Sequence, residues 1–224
     1  MTQQSNSMEL RTVNMGVISN GTTLLDAGAL DSGIATGAMT LIKTLTASNS
    51  STLSLVHGSS SVVFDGTYKS YVIKCIDIHP GNDDVYFQMN VSIDSGSNYN
   101  VSKNTTSWRS SNDEDGSAAQ SDDEVVEYRT ANDLANGTGV QRLTEPLGNQ
   151  NQESCSVCIQ IFNPADTTYV KHFLATSVSN TYEQKSQAYW VAGYVNSTSA
   201  VNAIQFSCSA GSISTGTIKL YGIK

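Results

Sequence analysis

This chain reads as an all-β protein, an antiparallel sandwich, for three reasons. Short runs in which every second residue is apolar recur along it, and that period puts one side of a strand in a core and the other in water. Turn residues punctuate those runs: Ala47-Ser-Asn-Ser-Ser51, Pro80-Gly-Asn-Asp-Asp84, Ser95-Gly-Ser-Asn98 and Asn163-Pro-Ala-Asp166. Helical periodicity is almost absent. About nine short strands at such intervals is the pattern of a β-sandwich, jelly rolls included.

Residues 1–38 come first and are the weakest stretch. Thr12–Ile18 is their one strand candidate, and Leu24, Leu25 and Leu30 sit in a segment without an evident core of its own. An extended N-terminal arm is expected, lying either on a neighbouring subunit or back on its own sandwich. From Met39 to Lys224 the signals fit one sandwich. Met39–Thr46 and Thr52–His57 flank the first turn and read as a hairpin, and Tyr71–His79 with Val85–Ile93 reads as a second. The stretch Thr105–Gly148 is irregular and acidic and reads as a long loop excursion; between Asp122 and Leu134 it is open to either a short helix or a strand around Tyr128. Strands then resume at Ser156–Phe162, Thr168–Thr176 and Ala188–Val195. They end in Ala203–Cys208 and Gly216–Ile223, which read as a closing hairpin with Ile204, Phe206, Cys208, Ile218, Leu220 and Gly222 on the buried side.

Composition narrows the function. With 224 residues, 38% of them hydrophobic, the chain can bury one large core but not two. Charged residues are 14%, against roughly 25% in typical soluble domains, so hydroxyls and amides must solvate the surface. A formal charge of -8, with 12 scattered Lys and Arg, disfavours nucleic acid as a partner. No apolar run approaches the roughly 20 residues that span a bilayer. The polar start Met1-Thr-Gln-Gln-Ser-Asn-Ser7 is unlike a secretory signal, so assembly in a cytosol is expected.

Catalytic patterns are not found. His57, His79 and His172 belong to no metal or nucleophile motif, and no Gly-x-Ser-x-Gly elbow or phosphate loop occurs. Cys155 and Cys158, three apart in a strand, would point to opposite faces and could not share one zinc; with Cys75 and Cys208 they read as small buried thiols. No enzyme activity and no cofactor are expected. Asn112, Asp113 and Asp115, ahead of Gly116, offer hard oxygens at short spacing and make a weak calcium candidate inside an otherwise solvated acidic loop. Trp108, beside that loop, is the first residue to examine for contact with a glycan, ahead of Trp190, Tyr86, Tyr99 and Tyr194.

One resemblance runs over roughly residues 39–224. Phe64-Asp-Gly-Thr-Tyr68, the strand Tyr71–Ile78, the turn His79-Pro-Gly-Asn-Asp83 and the strand opening at Val85 are similar to the jelly-roll modules of small virion proteins in tailed bacteriophages, especially marine ones. Ile159-Gln-Ile-Phe-Asn-Pro164 and Gly216-Thr-Ile-Lys-Leu-Tyr-Gly222 extend the likeness. It implies a jelly-roll fold and a non-enzymatic structural role in a virion, assembled in the host cytoplasm. Capsid decoration or cement fits a small acidic sandwich; a tail, collar or fibre component that contacts host surface glycans is the alternative. The implied partners are further copies of the chain, as a homotrimer, and other virion proteins such as the major capsid protein.

Overall fold

The computed structural model describes residues 17–19, 22–26, 29–30, 38–114 and 126–224. The chain divides into two compact units, Met1–Ala38 and Met39–Lys224. In the first, β1 (Val17–Ser19), β2 (Thr22–Asp26) and β3 (Ala29–Leu30) pair in order as an antiparallel meander, with Leu25 opposite Leu30. Within the segment read as an N-terminal arm, these residues hydrogen-bond to one another. Of the strand expected at Thr12–Ile18, only Val17 and Ile18 lie within the described residues.

The second unit holds two antiparallel sheets and is a β-sandwich. Its strands are β4 (Met39–Thr46), β5 (Leu53–Val56), β6 (Ser70–Pro80), β7 (Phe87–Ser92), β8 (Lys103–Asp113) and β9 (Glu127–Tyr128), followed by β10 (Gln141–Arg142), β11 (Cys155–Phe162), β12 (Lys171–Asn180), β13 (Lys185–Val195), β14 (Ala203–Cys208) and β15 (Ile213–Ile223). One sheet runs β4-β15-β6-β11-β12-β13-β8-β9 and the other β10-β7-β14-β5. Among the described residues a single 3-10 turn, Thr130–Asn132, interrupts the strands.

Three pairs of neighbours expected to be hairpins are not. β4 lies in the large sheet and β5 in the small one; the same split separates β6 from β7 and β14 from β15. Each short linker arches across the core instead of folding back in plane. The linkers bond to one another and to β15: Ala47 N–H donates to the Gly216 carbonyl, Ser50 to Ile213, and Gly81 to Ser212. An arch and a hairpin bury the same alternate residues, so the period-2 pattern looks identical for both. True hairpins occur where β11, β12 and β13 follow one another, the first closed by the Asn163–Asp166 turn.

The expected excursion over 105–148 also changes. Its first part is β8, an eleven-residue strand hydrogen-bonded along its whole length to β13. Its inward residues include Lys103, Ser107 and Ser111, all buried and all polar, so the apolar alternation that marks a strand is missing. Around Tyr128 the strand alternative holds, as β9.

Between the sheets lies one contiguous core. Tyr71, Ile73, Cys75, Ile78, Val157, Ile159, Ile218 and Leu220 of the large sheet meet Leu55, Phe87, Met89, Val91, Ile204 and Phe206 of the small one. Phe87 and Phe206 stack with centroids 5.8 Å apart and planes 10° from parallel. Gly222 is buried because the Tyr68 ring covers it; a Cβ there would lie 2.4 Å from ring atoms.

Candidate functional site: the outer face of the large sheet

Alternation decides what the far side of the large sheet shows. β12 reads buried, exposed, buried along its length, so Phe173, Ala175 and Ser177 point inward while His172, Leu174, Thr176 and Val178 point out. Register then places their neighbours on the same face. Leu174 stands opposite Gln160 and Ala192, Thr176 opposite Cys158 and Trp190, and Val178 opposite Ser156 and Ala188. Leu174 is 50% exposed, Val178 62% and Phe162 36%, a run of open apolar surface at the middle of a sheet.

Two shallow grooves are cut into this face. One, about 500 Å³, is bordered by Phe162, His172, Leu174, Ala192 and Tyr194. Its depth comes from Gly193, which has no room for a side chain: a Cβ there would sit 2.5 Å from the Asn104 carbonyl of the adjacent strand. The other, about 430 Å³, lies between Ile76, Cys158, Val178, Ala188 and Trp190. Among Lys, Arg, Asp and Glu, Lys74 alone lines either groove.

Beyond the second groove an aromatic row crosses three strands. Trp190 of β13 pairs with Trp108 of β8, which pairs with Tyr128 of β9. The two indoles lie 6.0 Å apart and 11° from parallel, both half-buried. Tyr128 is 57% exposed, and its hydroxyl donates to Asp133. Such a row offers flat apolar surface edged by hydroxyls and amides, including Thr106, Asn104 and Thr176. Trp108, singled out in the sequence, thus joins Trp190 and Tyr194 on one face. Tyr86 and Tyr99 do not: Tyr86 lies under the Arg142 guanidinium at 3.7 Å, and the Tyr99 carbonyl accepts from Asn90 next to the small sheet.

The other sequence candidates disperse. Asn112 and Asp113 are successive residues at the end of β8 and so face opposite ways. Asn112 is exposed, while Asp113 pairs with Lys185 at 3.8 Å; Asp115 lies outside the described residues. His57 Nδ1 accepts the Phe64 N–H and His79 Nε2 meets the Gln150 carbonyl, both structural contacts. Cys155 is buried and Cys158 exposed, on opposite faces as the spacing requires, so Cys158 departs from the expectation of four buried thiols. Burial pushes the Cys75 and Cys155 thiols well up and that of Cys208 to about 11, which makes all three inert.

A charged network with no sequence signature lies under β8 and β13. Glu145, 3% exposed, takes hydrogen bonds from Arg129 Nε at 2.9 Å and Asn132 at 3.0 Å, with Arg109 at 3.9 Å. Glu127 bridges Arg109 and Arg129, each at 2.8 Å. Burial pushes the Glu127 carboxyl up, but the hydrogen bonds from Arg129 and Arg109 outweigh it and hold the pKa below the usual range. A carboxylate held ionised by two guanidiniums is a poor proton donor, so Glu127 reads as structural.

Compared with known proteins, the chain matches no family model, no curated protein and no solved structure. Among the described residues no helix is long and apolar enough to cross a membrane.

Proposed function

We propose that this chain is a non-enzymatic structural protein of a tailed-phage virion, of the capsid decoration or cement type, which works by contact with copies of itself and with other virion proteins. The observation that carries this reading is the outer face of the large sheet across β11, β12, β13 and β8, where Phe162, Leu174 and Val178 stand open on the same face as Trp190 and no Lys, Arg, Asp or Glu points outward. A face of that kind gains free energy by being covered, at about 25 cal/mol per Å² of apolar surface removed from water. Strand order supports the jelly-roll part of the resemblance. Read as β4-β15-β6-β11 against β5-β14-β7-β10, the two sheets have the strand order of a jelly roll, with β8–β9 and β12–β13 as insertions that widen one sheet. Assembly as a homotrimer in the virion comes from the same resemblance.

The aromatic row favours a second reading, a tail, collar or fibre component that contacts host surface glycans. Trp190, Trp108 and Tyr128 would take the apolar face of a sugar ring while neighbouring hydroxyls and amides bond its edge. Copy number separates the two. Purified virions should contain the chain at a ratio near one to the major capsid protein; a few to a few dozen copies per particle would move it to the tail. Leu174→Asp with Val178→Asp should leave the isolated chain folded, because both side chains are exposed, and abolish its incorporation into particles. Normal incorporation of the double variant would remove the outer face from the assembly.

A further inference from the structure

At the end of the sandwich where the linker from β6 to β7 meets the segment before β11, two carboxylates converge over a glycine. Glu153 is fully buried. Its Oε2 accepts the Gln150 N–H at 2.8 Å, which closes the Gln150–Glu153 turn. Its Oε1 is equally buried and has no hydrogen-bond partner. Asp83, exposed in the linker, reaches the same place. A Cβ at Gly148 would lie 2.0 Å from Glu153 Oε2 and 2.9 Å from Asp83 Oδ1, so these oxygens are at most about 5 Å apart. Gly148 leaves open the cradle that any side chain would fill. Among the described residues no Lys or Arg forms an ion pair with either carboxylate.

We infer that Asp83 and Glu153 hold a hard divalent cation, calcium by its chemistry, between the β6–β7 linker and the loop at Gly148. Two anions this close, one of them out of water, repel strongly unless a cation lies between them. A buried carboxylate oxygen without a donor costs free energy, which a cation bound to the carboxylate offsets. A calcium ion sits about 2.3–2.6 Å from its oxygens, nearer than the roughly 2.8 Å at which a water bonds, and two oxygens on one such ion are separated by up to about 5 Å. Magnesium fits less well, because it requires a near-ideal octahedron at about 2.0–2.1 Å. No third Asp, Glu, His or Cys completes a cluster among the described residues, so carbonyl oxygens and water fill the remaining positions. That donor set places the dissociation constant at about 10⁻⁴–10⁻³ M, the weak end of the calcium range. The ion would clamp the two segments beside the paired Val85 and Leu147 backbones.

The test uses the full chain, stripped of metal with chelator and then melted in 10 mM CaCl₂, in 10 mM MgCl₂, and in NaCl of matched ionic strength. Calcium should raise Tm by about 5 °C over the NaCl control, with a smaller effect from magnesium. Asp83→Asn, at an exposed position, should fold and lose that increment, and titration calorimetry should find one calcium per wild-type chain and none in the variant. Absence of a calcium-specific increment in the wild type, or its full retention in Asp83→Asn, overturns the site.

Discussion

The two halves of the large sheet bury one face each, the first with apolar residues alone and the second with a mixture of apolar and polar ones. In β4-β15-β6-β11 the inward residues are apolar, among them Ile73, Cys75, Ile159 and Leu220, and they meet the apolar side of the small sheet. In β12-β13-β8 the inward apolar residues Phe173, Ala175, Tyr189 and Val191 are interleaved with buried polar ones, Lys171, Ser177, Gln187, Lys103, Ser107 and Ser111. The difference follows from what lies above them. A sheet satisfies its backbone groups within its own ladder, so it presents only side chains to its partner, and undirected apolar packing is enough. Irregular chain between residues 129 and 147 covers much of the second half, and its carbonyls and amides need partners. Ser177 donates to the Leu143 carbonyl, Ser107 to that of Arg129, and Thr105 Oγ1 accepts from Leu134. Lys171 Nζ donates to three loop carbonyls, those of Tyr169, Ser197 and Thr198. Polar residues in this core are thus the consequence of roofing a sheet with loop.

Phe206→Ala attacks the apolar half and should have the largest effect, a loss of about 3–5 kcal/mol, because it removes the ring stacked on Phe87 and leaves a cavity. Urea unfolding measures it, and a loss below about 1 kcal/mol would mean that the sheets do not meet there. Glu145→Ala attacks the polar half. It strips a buried carboxylate from Arg129, Arg109 and Asn132 and should cost about 3 kcal/mol, less than the ring because Glu127 still forms an ion pair with each guanidinium. If Glu145→Ala proves neutral, the network does not support this half of the sheet.

The smallest effect sharpens the comparison through pH. Lys103 Nζ donates to Asn90 Oδ1 and the Val101 carbonyl, yet desolvation lowers its pKa to about 8, against about 10.4 for an unfolded lysine. Between those values the unfolded chain binds a proton that the folded chain does not, so this group's penalty is complete below about pH 8 and fades as pH rises. Cys75, Cys155 and Cys208 work the other way: their raised pKa values keep them protonated when folded, while unfolded thiols ionise from about pH 8.5. The lysine is therefore read as a difference. From pH 8 to 10 the stability of the wild type relative to Lys103→Met should rise; a constant difference would show that Lys103 has an ordinary pKa in the fold.

Sequence reading located strands where the inward residues are apolar. β4 spans the expected Met39–Thr46, and β11, β12, β14 and β15 each overlap the run that announced them. It missed β8, whose inward side is polar, and with it the Arg109–Glu127–Arg129–Glu145 network, because those four residues are joined by pairing between distant segments and share no local pattern. On the outer face the aromatics Trp108, Trp190 and Tyr194 were legible as candidates, whereas exposed Leu174 and Val178 were not. That Trp190 and Tyr128 flank Trp108 depended on register.

By itself, then, the sequence determined which residues are extended and which side of each strand is buried, because alternation is built into the backbone and acts over neighbouring residues. Tertiary structure alone decided which strand lies beside which. Pairing is made by N–H and C=O groups common to nearly every residue, so β4 and β5, equally suited to a hairpin or an arch, were assigned to different sheets only when the whole core closed around them.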